Sequence, residues 1–130
     1  MSGIAVVGIV EKDNLILIGK KIKKDHYLSE SWHILGGKVE ENEDYEEALK
    51  REIKEEAGID IKVKEKLDEM FDLNSNLKVI WYLCNFLDGD LVAGDDIQEV
   101  KFVSKDKIKE LCSEEAVKLW PEKVVEYLER

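Results

Sequence analysis

The sequence contains one proline, Pro121, and two cysteines, Cys84 and Cys112, among 130 residues. Two isolated thiols make neither a disulfide framework nor a cysteine metal cluster; they point to a reducing cytosol, with Cys84 in the core. No apolar run approaches the ~20 residues of a membrane span, and no secretory leader opens the sequence, so a cytoplasmic chain without a membrane segment is expected. Positive charge is also scarce: 20 Lys and Arg stand against 30 Asp and Glu, a net charge of −10. That balance argues against broad binding of polymeric nucleic acid, whose phosphates call for basic surface. It leaves room for a small anionic substrate, because a bound cation reverses the local field. Repeats, linkers and low-complexity tracts are absent.

What the chain does have is core-forming material. Hydrophobic residues make up 44% of it and three are tryptophans, which excludes disorder and predicts one domain over 1–130. Gly3 to Val10 and Leu15 to Gly19 are apolar and rich in β-branched residues. Glu11-Lys12-Asp13-Asn14 between them supplies turn chemistry, so a β-hairpin is predicted. Lys20, Lys21, Lys23 and Lys24 follow, either a solvated strand end or a cationic rim for phosphates. Residues 25–31 read as polar loop and Ser31 to Leu35 as a short strand. Beyond the central helix, Ile59 to Val63 alternates, and Leu67 to Leu73 continues as strand or loop. Leu77 to Leu87 is nearly continuous apolar sequence and predicts a central strand. Glu99 to Val103 reads as one more strand. Lys105 to Cys112 and Glu114 to Leu128 read as helices, with Pro121 kinking or restarting the second.

The organising stretch runs from Gly36 to Ile59. It reads as a glycine turn, an acidic loop, one helix and a glycine stop. Asp44 with Glu47 three residues on is a capping-box pattern that starts the helix. Gly58 ends it. At ~100° per residue, Tyr45, Ala48, Leu49 and Ile53 form an apolar stripe, opposite Glu47, Lys50, Arg51 and Lys54. Glu52 and Glu56 fall along that stripe, with Glu55 beside it. Carboxylates turned toward a core are unfavourable unless positive charge meets them. Arg51 offsets one; three acids at i, i+3 and i+4 ask for a multivalent cation.

The spacing is Gly37, five residues, Glu43, seven residues, then Arg51-Glu52-Ile53-Lys54-Glu55-Glu56-Ala57-Gly58-Ile59. It resembles, without a gap, the signature box of the Nudix hydrolases, which cleave nucleoside diphosphates linked to another moiety. Every fixed position of the box, 37–59, is filled. The resemblance implies a three-layer α/β/α sandwich around a mixed sheet, agreeing with the α/β class read from the element order. It implies Mg²⁺, with Mn²⁺ as a substitute, held by Glu52 and Glu56, Glu55 nearby or also ligating, and the carbonyl of Gly36. Arg51 and Glu43 would brace helix and loop through an ion pair. Leu35 stands where the family usually has proline, which frees the loop somewhat.

For the general base, relatives use either a box glutamate, here Glu52, or an acid from a later loop. Asp95, Asp96 and Glu99 are the later candidates, Glu99 preferred, and solvated loop charges are the plain structural alternative. Lys20, Lys21, Lys38 and Trp32 are candidate substrate contacts, though Trp32 reads equally well as core. His33 reads as structural. Subfamily markers are missing: Asn74 falls where ADP-ribose hydrolases carry proline. Ser75, Asn76 and Leu77 fall where dinucleoside-polyphosphate hydrolases carry tyrosine. The coenzyme A signature is absent. This elimination favours a mutator-type enzyme acting on (d)NTPs, oxidised forms included, with ADP-ribose or another nucleotide sugar as the alternative. The partner implied is a small nucleotide, and a homodimer is compatible. A non-catalytic Nudix-like binding domain would show decay in the box glutamates, and none is seen. A plain acidic α/β domain with a solvated glutamate helix is opposed by the inward placement of Glu52 and Glu56.

Overall fold

β1 (Gly3–Lys12) and β2 (Leu15–Lys21) form the predicted hairpin. The structure is a computed structural model that describes residues 3–21 and 32–130, and only the backbone of Glu115. Asp13 and Asn14 both adopt left-handed backbone, φ 51° and 67°, a two-residue turn whose twist matches that of paired strands. The hairpin stays paired only at Glu11–Ile16 and Lys12–Leu15. Each strand then takes a longer partner. β1 runs parallel to β6 (Leu77–Asp88), from Gly3 opposite Leu77 to Glu11 opposite Asn85. β2 runs antiparallel to β7 (Ile97–Ser104). β3 (Trp32–His33) joins β2, β4 (Gly36–Lys38) joins β1, and β5 (Asp60–Asp72) joins β6. The result is one mixed sheet of seven strands with β1 and β6 inside it.

Alternation along the strands gives the sheet two apolar faces. Val6, Val10, Leu17, Ile80, Tyr82 and Cys84 pack on one side against Ala48, Leu49, Ile53 and Ala57 of α1 (Tyr45–Ala57). Ile9, Ile16, Ile18, Trp81 and Leu83 pack on the other, against the C-terminal helices α2 (Lys105–Leu111), α3 (Glu114–Lys118) and α4 (Glu122–Glu129). This is the α/β/α sandwich expected from the sequence. Pro121 is the N-cap of α4, so it restarts the helix instead of kinking it.

Several expectations change in detail. The glycine pair is strand, not turn: Gly36 and Gly37 lie opposite Val7 and Val6 in the β1–β4 ladder. A Cβ on Gly36 would overlap the Val6 carbonyl, so the pair serves close strand approach. The strand expected over 31–35 narrows to β3. Ser31, the loop over 25–31, and Lys23 and Lys24 lie outside the described residues. Leu67 to Asp72 belongs to β5, whose three register shifts break up a long edge strand. The last strand begins at Ile97, two residues before Glu99. Tyr45 sits at the margin of the helix stripe, 37% exposed.

α1 has the ends its sequence predicts. The Asp44 side chain accepts from the Glu47 amide at 3.3 Å, and Gly58, at φ 78°, donates its amide to Lys54 O. Replacing Asp44 with Ala removes an acceptor from an otherwise open helix end. A loss of about 1 kcal/mol is expected, read as a lower urea midpoint at unchanged slope.

Candidate active site

Arg51 sits on α1 with its guanidinium spread over four partners. Nε and Nη2 take both oxygens of Glu43, at 2.7 and 3.0 Å. Nη1 reaches Glu52 Oε1 at 3.0 Å and Glu55 Oε2 at 3.3 Å, and Nη2 donates to the Lys38 carbonyl at 3.2 Å. The two-pronged pair with Glu43 ties the acidic loop to the helix. Glu43 also accepts from the Glu40 amide at 3.0 Å. The Arg51 bond, with that amide, holds the Glu43 carboxyl down to about 2. Glu43 in turn raises the pKa of Arg51, so the guanidinium stays charged.

Glu52 is 13% exposed and lies against the backbone of β4. A Cβ on Gly37 would overlap its carboxylate, so only glycine there lets the acid occupy that place. Burial raises the Glu52 pKa, and the bond to Arg51 opposes the rise. Glu55, 46% exposed, stays at the rim with Arg51. Glu56 differs from both. It is 5% exposed, the buried charged residue of the core, and its Oε1 has no hydrogen-bond partner among the described residues. Its pKa is pushed up to about 8, first by burial and then by Glu52, Asp96 and Asp95; Lys21 opposes them.

The acids are neighbours that do not close on one point: among the described residues no three His, Cys, Asp or Glu form a metal cluster. Arg51 holds Glu52 and Glu55 on its side, and Glu56 lies deeper. A buried carboxylate with an orphan oxygen, one helical turn from the half-buried Glu52, nonetheless fits a divalent cation, the species that satisfies both at once.

A NUDIX domain model matches residues 1–128. The chain belongs to the NUDIX family. Family members use divalent metal ions. Among curated relatives, an ADP-ribose pyrophosphatase of Methanocaldococcus jannaschii is 38% identical over 113 residues, 84% of this chain and 66% of that protein. An 8-oxo-dGTP diphosphatase of Buchnera aphidicola is 48% identical over 56 residues, 43% of this chain and 42% of that protein. The chain thus spans less than two thirds of the length of these relatives. A NUDIX hydrolase of Nitrosomonas europaea shares the fold with TM-score 0.83 at 20% identity, covering 99% of this chain and 72% of that one.

The other predicted residues of this NUDIX chain separate. Lys21 lines a cavity of about 200 Å³ together with Ile34, Val79, Trp81, Leu119 and Trp120. Its charge also opposes the rise in the Glu56 pKa. Lys20 pairs with Glu99 across β2 and β7, and Glu99 is exposed. Charges pressing on Glu56 from the later loop include those of Asp96 and Asp95. The Lys38 side chain is exposed. Trp32 does not line the cavity; Lys101 Nζ lies 4.5 Å from its ring centre. Among the described residues no helix is long and apolar enough to cross a membrane.

The Glu56 shift carries a sign. Below about 4.5 the carboxyl is protonated folded and unfolded, so it adds no difference. Between about 4.5 and 8 the unfolded chain ionises freely while the folded chain keeps the proton. Stability therefore falls as pH rises through that window. With EDTA present, Glu56→Gln should leave Tm at pH 4 nearly unchanged and raise it at pH 8, by up to a few kcal/mol of stability. Parallel Tm–pH curves for the two proteins would refute this.

Proposed function

We propose that this chain is a metal-dependent pyrophosphohydrolase acting on nucleoside diphosphates linked to a further group. The observation that carries the reading is the buried, partnerless Glu56 oxygen beside Glu52 on the box helix. Glu52 and Glu56, with Glu55 and the Gly36 carbonyl, would hold Mg²⁺ or Mn²⁺. Such a cation neutralises phosphate oxygens and lowers the pKa of a bound water. The chain's own residues do the rest. Arg51 fixes the Glu52 carboxylate by its Oε1 and ties the Glu43 loop to the same helix. Glu52, made more basic by burial, accepts the proton of the attacking water. Lys21, with Lys20 beside it on β2, binds phosphate at the cavity edge. Asp95 and Asp96, whose charges raise the Glu56 pKa, stand with Glu99 as the later-loop candidates for the base.

The cavity takes the base. Trp81 and Trp120 offer flat apolar surface, and the volume suits one planar ring without a second nucleoside. On that ground the first substrate reading is a nucleoside triphosphate, oxidised forms included, cleaved between its α and β phosphates to monophosphate and pyrophosphate. ADP-ribose is the second reading, favoured by the name of the archaeal relative. A small cytoplasmic enzyme without a polymeric nucleic-acid partner accords with the charge of −10.

Two measurements test this. Glu56→Gln should keep the far-UV circular dichroism of the wild type and lose activity a hundredfold or more; full activity in the folded variant would refute the cation site. A substrate panel with Mg²⁺, reading phosphate and pyrophosphate separately, should rank a (d)NTP first. Lys21→Ala should raise its KM more than it lowers kcat. ADP-ribose ahead of every (d)NTP by tenfold in kcat/KM would move the assignment to the second reading.

A further inference from the structure

The β1–β2 hairpin forks, and one residue closes the fork. Its strands pair at Glu11–Ile16 and Lys12–Leu15 and then part. Residues 32–38 run into the gap. Trp32 and His33 pair with Lys20 and Gly19 of β2, whereas Gly36, Gly37 and Lys38 pair with Val7, Val6 and Ala5 of β1. Between the two ladders, at Ile34 and Leu35, the chain crosses from one arm of the fork to the other. The two side chains part there. Ile34 borders the cavity, and Leu35, 0% exposed, joins the core beneath α1.

Leu35 is held from both arms. Its carbonyl accepts from Gly8 N of β1 at 3.0 Å. Its side chain rests on Gly19 of β2, where a Cβ would stand 2.5 Å from Leu35 Cδ2 and 3.4 Å from Ile97 Cγ2. The backbone at Gly19 is not left-handed; the described glycines with positive φ are Gly58 and Gly89. Gly19 therefore serves space and not conformation: the leucine fills the volume that a side chain there would take. The two make a knob and its hole.

The residues after Leu35 have no slack to absorb a shift. A Cβ on Gly36 would stand 2.1 Å from the Val6 carbonyl oxygen, and a Cβ on Gly37 would stand 2.3 Å from Glu52 Cδ. Close-packed interiors transmit displacement, so moving Leu35 moves the strand against which the Glu52 carboxylate lies. A misplacement of about 1 Å at a reacting group costs on the order of a hundredfold in rate. We propose that Leu35, seated on Gly19, is a positioning residue for pyrophosphate cleavage, fixing β4 against Glu52 from outside the cavity. The proposal rests on the role given to Glu52 above.

The test makes Leu35→Ala and Gly19→Ala singly and together. It measures kcat and KM with Mg²⁺ for dGTP and for ADP-ribose, with Tm and exchange of the Gly8 amide in the metal-free protein. Leu35→Ala should lower kcat about tenfold or more, by the same factor for both substrates, with KM within about twofold. The Gly8 amide should exchange faster. Gly19→Ala, which pushes Leu35 from its seat, should act alike. In the double variant the methyl group added at position 19 refills part of the emptied volume, and kcat should exceed that of either single variant. Leu35→Met, close in volume, should keep kcat within about twofold. A purely structural role lowers Tm and leaves the kcat of the folded protein unchanged. That result in Leu35→Ala, or a double variant less active than both singles, would overturn the proposal. If Leu35→Ala fails to fold, Leu35→Val carries the same test. Glu52→Gln is the control: full activity in that folded variant removes the role of Glu52 and the proposal with it, whereas an inactive Glu52→Gln beside a fully active Leu35→Ala removes the proposal alone.

Discussion

A carboxylate inside a hydrophobic core, with one oxygen that no hydrogen-bond donor among the described residues meets, is the constraint on which the site depends. Glu56 falls one position short of Ala57, on the face of α1 that packs into the sheet. The chain tolerates this by letting the group keep its proton near neutral pH. The surrounding pieces are arranged around that position: Glu52 against a glycine strand, Arg51 anchoring the acids that face outward, and Lys21 at the end of β2. Sandwich packing holds the carboxylate in place, so the fold supplies the rigidity that a cation site requires.

Two glutamates of one short motif show how far environment outweighs residue type. Glu43 meets a guanidinium and an amide and is held near 2; Glu56 meets apolar packing and other acids and is pushed near 8. One is fixed as an anion that braces a loop. The other has a proton to surrender within the physiological range. Separating carboxyl groups in this way lets a site built from a single residue type divide scaffolding from chemistry.

The sequence announced α1 well because its signals are local. Asp44, Gly58 and the 3.6-residue stripe through Leu49 and Ile53 all lie within one stretch of chain. The same holds for the Asp13-Asn14 hairpin and the apolar run of β6. What escaped sequence reading depends on partners distant in the chain. Gly36-Gly37 suggested a turn because glycine pairs often make one, yet β1 pairs with them as strand. Glu99 reads in the sequence as opening the last strand; β7 begins two residues earlier and pairs Glu99 with Lys20, a boundary set by β2. The segment 92–94, docked by its amides on the end of α1, left only one trace, a glycine before two aspartates. Hydrogen bonds from its backbone to Ala57 and Glu56 have no side-chain signature. Trp81 and Trp120, which the sequence offers for stacking, both line the cavity, whereas Trp32, equally aromatic, packs under Lys101.

The sheet also acts as a partition. The acids of α1 lie on one of its faces, while Trp81, Val79, Ile34 and Trp120 border the cavity on the other. Lys21, at a strand end, lines the cavity, and its charge lowers the Glu56 pKa. Because side chains alternate along every strand, residues such as Val79 and Trp81 can be exchanged without disturbing the packing beneath the helix. On the proposed reading, divergence recuts what the cavity accepts while the face that carries the box acids stays unchanged. A scaffold divided in this way gives a lineage many substrates from one reaction.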